Sequence, residues 1–197
     1  MNIGLCILAY IIGSVPFALV IGKWGYGVDL RKEGSGNLGA TNTFRTLGKK
    51  AGILVMVFDM LKGTIAVLLP LLIDSSIHPL LIGAFAIIGH CYPVFAGFKG
   101  GKAVATSAGV LLGYEPFLFI GAILVFLLIL KFSKYVSLAS MIGSLFTFLY
   151  ALAEYFFWEK DLALICITLF LSSFIFYRHR ENISRIKNKT ERKVTWI

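Results

Sequence analysis

The chain alternates between long apolar blocks and short connections that are basic, polar or glycine-rich. A helix needs about 20 apolar residues to cross a hydrocarbon layer about 30 Å thick. The first block, Ile3–Ile21, carries no charge. The second, Ala51–Ile73, is interrupted by Asp59 and Lys62, and the third, Pro79–Phe95, has His90 near its end. The stretch Val104–Leu130 is too long for one simple span and short for two. Gly113, Glu115 and Pro116 break it, because glycine and proline punctuate helices and a carboxylate is costly in lipid. It divides into a short helix, Val104–Leu112, and a fuller one, Phe117–Leu130. Val136–Ala153 and Leu162–Phe176 complete a set of seven predicted helices.

Charge placement tests that count. Lys23, Arg31, Lys32, Arg45, Lys49 and Lys50 lie between the first two blocks, Lys99 and Lys102 after the third, and Lys131 and Lys134 after the fifth. Seven more basic residues, from Arg178 to Lys193, follow the last block. The alternate connections carry Asp74, Glu115, Glu154, Glu159 and Asp161, with only Lys160 positive. Loops rich in Lys and Arg stay cytoplasmic. Seven spans, with the N-terminus outside and the C-terminus inside, put every basic cluster on one face; six would separate Lys99/Lys102 from Lys131/Lys134. The expected fold class is therefore all-α: a polytopic membrane protein with seven transmembrane helices, the fourth short, forming one domain over residues 1–197.

Composition agrees. The sequence is 58% hydrophobic and only 15% charged, where a soluble domain is roughly a quarter charged. No basic leader region and no small-residue cleavage site follow Met1, so the first block is expected to be kept. A net charge of +9 would suggest nucleic acid in a soluble protein. In a membrane protein it reads as loop asymmetry and then as an anionic ligand, with no nucleic-acid partner. The tail after Tyr177 is expected along anionic headgroups. Cys6, Cys91 and Cys166 form no C-x-x-C pair and are expected to be buried apolar residues. No cluster of metal-ligand type is visible, so no metal and no cofactor is expected.

Three connections carry candidate chemistry. The first is Gly34-Ser35-Gly36-Asn37-Leu38-Gly39-Ala40-Thr41-Asn42, followed by Arg45. Its glycines allow tight turns that present amides to an anion. Ser35, Asn37, Thr41 and Asn42 add short donors, and Arg45 adds a fork matching phosphate. A helix beginning near Ala40 would favour negative charge at its N-terminus. The plainer alternative is a flexible polar loop. The second connection is Gly89-His90-Cys91-Tyr92-Pro93, running into Gly100-Gly101-Lys102 and a helix from Val104. Taken alone, His90 reads as a hydrogen-bonded structural residue. Gly100-Gly101-Lys102 reads as a turn with exposed amides and a lysine ahead of a helix N-terminus, a combination that suits phosphate, or equally as an ordinary interface lysine. The third is Tyr177–Ile183, where His179 and Asn182 are three apart and share a helix face, or simply end a basic helix. Asp59 and Lys62 are also three apart: they form a structural ion pair or support the Gly-rich loop. Gly13-Ser14 with Pro16 would let another helix approach closely, or admit an acyl chain.

Taken together, Gly34–Asn42 with Arg45, Gly89-His90 with Pro93 and Gly100-Gly101-Lys102, and His179-Arg180 with Asn182-Ile183 resemble the bacterial acyl-phosphate-dependent glycerol-3-phosphate acyltransferases. Gly13-Ser14-x-Pro16 and Asp59-x-x-Lys62-Gly63 fit the same pattern, and the resemblance covers nearly the whole chain. Two positions depart from it: Ala103 stands where Gly is common, and Lys189-Thr190-Glu191 where Gly-Thr-Glu is common. The resemblance implies transfer of a fatty acyl group from acyl phosphate to the 1-hydroxyl of glycerol 3-phosphate, giving lysophosphatidic acid and phosphate. It further implies a monomer in the bacterial inner membrane, in contact with lipid, with its site at the cytoplasmic face.

In that setting Ser35, Arg45, Lys102, His179 and Asn182 would hold glycerol 3-phosphate. Gly34, Gly36, Asn37, Gly39, Ala40, Thr41 and Asn42, with Gly100 and Gly101, would cradle the acyl phosphate. His90, His179 or the substrate's own phosphate could accept the hydroxyl proton, and Ser35 is a conceivable nucleophile although direct transfer needs none. The alternative function is a transporter of a phosphorylated metabolite, which would use the same basic cluster but also need a polar path to the far face.

Overall fold

A computed structural model describes residues 2–194; the expected domain limits at 1 and 197 lie outside them. The chain groups into two compact units, residues 1–114 and 115–197, each described by itself.

The first unit holds α1 (Asn2–Ser14), α2 (Phe17–Tyr26), α3 (Ala40–Leu47), α4 (Lys49–Leu72), α5 (Pro79–Cys91) and α6 (Val104–Tyr114), with single 3₁₀ turns at Leu30–Lys32 and Val94–Ala96. The first expected span is broken at Pro16, which lacks the amide a continuous helix needs. Gly27 ends α2 at φ 67°: its N–H donates to Lys23 O at 3.2 Å and that of Val28 to Gly22 O at 2.9 Å, so a left-handed glycine turn satisfies the last carbonyls. α1 packs on α5 and α4 on α6 through small residues. A side chain at Gly13 would collide with the Ala86 backbone, and one at Gly63 with Thr106 O, so both helix pairs sit backbone to backbone. The close approach expected at Gly13 is thus realised.

The second unit holds α7 (Pro116–Ser133), α8 (Val136–Phe157), α9 (Leu162–Arg178) and α10 (Arg180–Lys187). Pro116 opens α7 at a position where a missing amide is harmless, and the Asp161 carboxylate caps α9 by accepting from Leu164 N–H at 2.9 Å. α9 and α10 bend by 57° at His179. Each of the seven predicted stretches is helical, but the first is split at Pro16 and the third ends at Cys91, before Pro93, with a separate turn at Val94–Ala96; the break between the fourth and fifth falls at Glu115. Among the described residues, five helical runs are long and apolar enough to cross a membrane, or six if α9 and α10 count as one. α6 is apolar but only 11 residues long.

The exposed surface of these runs is apolar, with Ile7, Leu61, Leu124 and Leu128 all exposed, as expected where lipid is the solvent. Polar side chains are buried instead, Asp59 and Lys62 among them. The three cysteines are free thiols. Cys91 is buried as expected, but Cys166 is exposed on α9, because that face of the helix meets no other element of its unit. The end of the tail folds back onto its unit. Val194 N–H donates to Lys134 O at 2.9 Å, and Val194 packs with Leu130 and Ala139.

Candidate active site

The Gly-rich connection is held by its own apolar and amide anchors. Leu30 and Leu38 are buried in a cluster with Ala18, Leu19, Val55 and Ala96, which pins the loop to α2 and α4. Between these anchors, Gly34 and Gly36 take left-handed conformations, φ 61° and 68°, that an L side chain rarely adopts. Asn42, 3% exposed, braces the turn from inside. Its Nδ2 donates to Glu33 O at 3.0 Å and Leu30 O at 3.4 Å, and its Oδ1 accepts from Ser35 N–H at 3.0 Å. A side chain on Gly34 would strike that Oδ1. Asn42 therefore serves as the loop's brace, a role that the sequence, where it counts as a substrate donor, does not reveal.

α3 begins at Ala40, as expected, with extended Gly39 before it. The first amides of a helix have no partner within it, so those of Ala40, Thr41 and Asn42 open the helix as an anion-favouring end. Ser35 and Arg45 are both exposed. Ahead of the loop, Asp29 accepts from Arg31 Nη2 at 2.6 Å and lies 3.5 Å from Lys23 Nζ. Hydrogen bonding from Arg31 comes first among the effects that hold the Asp29 carboxyl well below the ordinary carboxylate range. Arg31 and Lys23 thus have a carboxylate of their own.

The second connection meets the first: Asn37 Nδ2 donates to Gly100 O at 3.1 Å, across 63 residues of sequence. Gly100 N–H donates to Cys91 O and Gly101 N–H to His90 O, each at 3.1 Å. These two amides are engaged within the protein, which corrects their expected role as exposed anion donors. The glycines instead admit close approach, since a side chain on Gly100 would strike His90 O and one on Gly101 would strike His90 Nε2. Lys102, half-buried, follows at once, and Ala103 leads into α6 with φ 73°. The glycine common at this place in the resembling family suits that left-handed turn, and here alanine bears the strain. His90 is 5% exposed, with Nδ1 3.4 Å from Asp59 Oδ1, so it faces the interior. Asp59 and Lys62 form the expected pair at 2.7 Å. His90 as their third member is the feature sequence reasoning missed; its position at the end of α5, ten residues before Gly100, was the only signal.

His179 and Asn182 belong to the second unit. His179 is 4% exposed, and its Nδ1–H donates to Ile175 O at 2.8 Å, fixing that nitrogen as the protonated one. Asn182 Nδ2 donates to Glu191 Oε1 at 2.6 Å, so the amide oxygen is the end turned from Glu191. Glu191 also accepts from Ser137 Oγ at 2.8 Å and Arg185 Nε at 2.7 Å. Burial raises the Glu191 carboxyl most, but donation by Arg185, Asn182 and Ser137 together outweighs it and holds the group below its ordinary value. Its signal in the sequence was slight: one of two carboxylates in a basic tail.

A separate apolar cavity of about 450 Å³ is lined by Ile3, Cys6, Ile7, Tyr10, Ile77, Leu81 and Phe85. It lies toward the end of α5 away from His90 and holds none of the polar groups above. No group of three potential metal ligands occurs among the described residues.

A family model described as glycerol-3-phosphate acyltransferase matches residues 3–189. A glycerol-3-phosphate acyltransferase of Geobacillus kaustophilus is 58% identical, over 96% of this chain and 94% of its own. One from Bacillus subtilis is 54% identical, over 98% and 97%. Among solved structures, PlsY, an integral membrane glycerol 3-phosphate acyltransferase in its glycerol 3-phosphate form, matches with a TM-score of 0.88 at 42% identity, covering 98% of this chain and 95% of that one. Its lysophosphatidic acid form gives 0.86 at 41% identity, with the same coverage.

Proposed function

This chain belongs to the glycerol-3-phosphate acyltransferase family, and on that premise we propose that it moves a fatty acyl group from acyl phosphate to the 1-hydroxyl of glycerol 3-phosphate. The hydroxyl oxygen bonds to the acyl carbonyl carbon, the bond from that carbon to the phosphate oxygen breaks, and the hydroxyl proton is carried off in the released phosphate. Lysophosphatidic acid is the other product. Phosphate is a good leaving group, so alignment and charge stabilisation suffice and no acyl-enzyme is needed. Ser35 then acts as a donor; an acylated Ser35 trapped by hydroxylamine would contradict direct transfer.

The observation that carries this reading is the Asn37–Gly100 hydrogen bond, which joins the Gly-rich loop to the turn bearing Lys102. Along the chain, α3 opens three residues after Asn37 and carries Arg45, and Lys102 follows Gly100 by two, which supports grouping them with that junction. In this reading Arg45, Lys102 and Ser35 hold the phosphate of glycerol 3-phosphate, and the loop from Gly34 to Asn42 receives acyl phosphate. His179 and Asn182 are assigned to glycerol 3-phosphate on the strength of the family resemblance. With its amide nitrogen on Glu191, Asn182 suits a hydroxyl better than a phosphate. The inward orientation of His90 leaves His179 or a substrate phosphate as proton acceptor.

The protein works as a monomer in the bacterial inner membrane, with seven crossings and the site at the cytoplasmic face. The alternation of basic and acidic connections supports this orientation. The relatives described above give the transporter alternative no support. The test is purified protein in detergent with acyl phosphate and glycerol 3-phosphate, assayed for released phosphate, with acyl-CoA and acyl-carrier-protein controls. Arg45→Ala and Lys102→Ala are each expected to lose about a hundredfold or more in turnover while still inserting. Wild-type rates in either variant refute the site.

A further inference from the structure

Three ionisable side chains are buried together behind the Gly100–Lys102 turn, and the reaction described above does not use them. Lys62 Nζ lies 2.7 Å from Asp59 Oδ1, and His90 Nδ1 lies 3.4 Å from the same oxygen. All three residues are at most 5% exposed. Charge inside a span is expensive, and where it persists it has work to do. Lys62 balances Asp59 and also donates to Val15 O at 3.0 Å, at the break between α1 and α2, with its ammonium over the Phe17 ring. Asp59 is therefore fixed in place.

That fixed carboxylate orients the His90 ring. With Nδ1 toward Asp59, Nε2 fills the space a side chain on Gly101 would need. The backbone of the same residue takes hold of the turn as well, since His90 O accepts from Gly101 N–H at 3.1 Å. Ring and carbonyl thus grip Gly101 from two sides, and Lys102 is the next residue. On the other flank Gly100 O receives Asn37 Nδ2.

We propose that Asp59, Lys62 and His90 form a positioning triad that holds the Gly100–Lys102 turn in register with the Gly-rich loop, and so sets where the Lys102 ammonium meets a phosphate. The proposal rests on the reading of Lys102 as a phosphate-binding residue. His90 acts here as an oriented wedge and does not take the substrate proton. An outer residue that aims a binding group shows itself in substrate affinity and geometry, not only in folding.

Asp59→Asn alone strands the Lys62 charge in the interior and can fail to fold for that reason. The informative variant is the double exchange Asp59→Asn with Lys62→Met, which removes both charges at near-constant volume; Val15 O keeps its bond from Phe17 N–H at 3.1 Å. Its companion is His90→Asn, which keeps a donor where Nδ1 stood, leaves the ion pair intact and withdraws the group at Gly101. Both are measured in detergent for thermal melting, and for KM and kcat with glycerol 3-phosphate as the varied substrate. The expected result is near-normal melting with KM raised about tenfold to a hundredfold, and kcat changed much less. Asp59→Glu should regain part of the loss. Wild-type KM in either the double variant or His90→Asn overturns the triad. Absence of turnover in the wild-type protein refutes the acyltransferase reading itself and takes the triad with it.

Discussion

Replacing Asn42 by alanine isolates the brace of the Gly-rich loop. The exchange removes the two bonds from Nδ2 to Leu30 O and Glu33 O and the bond Oδ1 accepts from Ser35 N–H. A net intramolecular hydrogen bond contributes about 1 kcal/mol, and the bond at 3.4 Å contributes less, so the loop loses about 2–3 kcal/mol of ordering. At about 1.4 kcal/mol per tenfold, opening of the loop becomes about 30- to 150-fold more frequent. Amide hydrogen exchange over Gly34–Thr43 reads this directly, and kcat/KM for phosphate release should fall in parallel. Asn42→Asp sharpens the test, because it keeps an acceptor for Ser35 N–H while turning an oxygen toward two carbonyls. It should open the loop as well, although it is nearly isosteric. Unchanged exchange with a raised KM would mean that Asn42 contacts substrate and does not brace the loop, and the reasoning would be wrong.

Ala103→Gly relieves a left-handed alanine costing about 1–2 kcal/mol, offset by about 0.5–1 kcal/mol of glycine entropy. The net gain is about 0–1.5 kcal/mol, so melting in detergent should rise by up to about 6 °C, and a fall would mean that the strain is absent. Glu191 has a folded pKa below its unfolded one, so its contribution is present above the ordinary value of 4.5 and is lost as pH falls through the lower folded value. Tail anchoring, followed by proteolysis after Lys187, should persist at pH 5 in the wild type and be lost at pH 7 in Glu191→Gln. Chelation with EDTA is expected to leave turnover intact; a loss restored by a divalent cation would contradict the metal-free mechanism.

Helix placement was legible because lipid imposes a one-dimensional code: long apolar runs, interrupted where a break is tolerated. Pro116 and the start of α3 at Ala40 follow from local chemistry, whereas the break at Pro16 falls inside a block expected as one span. The partners of buried polar groups were not legible, because they depend on which helix faces which. Nothing near His90 in the chain announces Asp59, 31 positions earlier, and nothing near Glu191 announces Ser137. The same limit explains the glycines at 100 and 101. Their residue type suggested exposed amides, whereas only the packed structure shows that the amides bond to carbonyls and that the missing side chains make room for a histidine. Backbone conformation falls between these cases. The left-handed turn at position 103 was foreshadowed by alanine replacing a common glycine, but its φ could only be observed.

The length of α6 decides how the membrane topology must be tested. At about 1.5 Å per residue its 11 residues reach about 16 Å, roughly half of a hydrocarbon core about 30 Å thick. If α6 nevertheless counts as a crossing, with Glu115 drawn toward one headgroup region and Lys102 toward the other, seven spans result and the basic connections share the cytoplasmic face. If it enters and returns, Lys131 and Lys134 fall outside, against the charge rule. Single cysteines at Lys50, Lys134 and Lys160, in a background with Cys6, Cys91 and Cys166 all replaced by serine or alanine, separate the two with an impermeant maleimide. Positions 50 and 134 should label only after permeabilisation, and 160 in intact cells. Labelling of 134 in intact cells with 160 protected would make α6 re-entrant and leave six crossings at most.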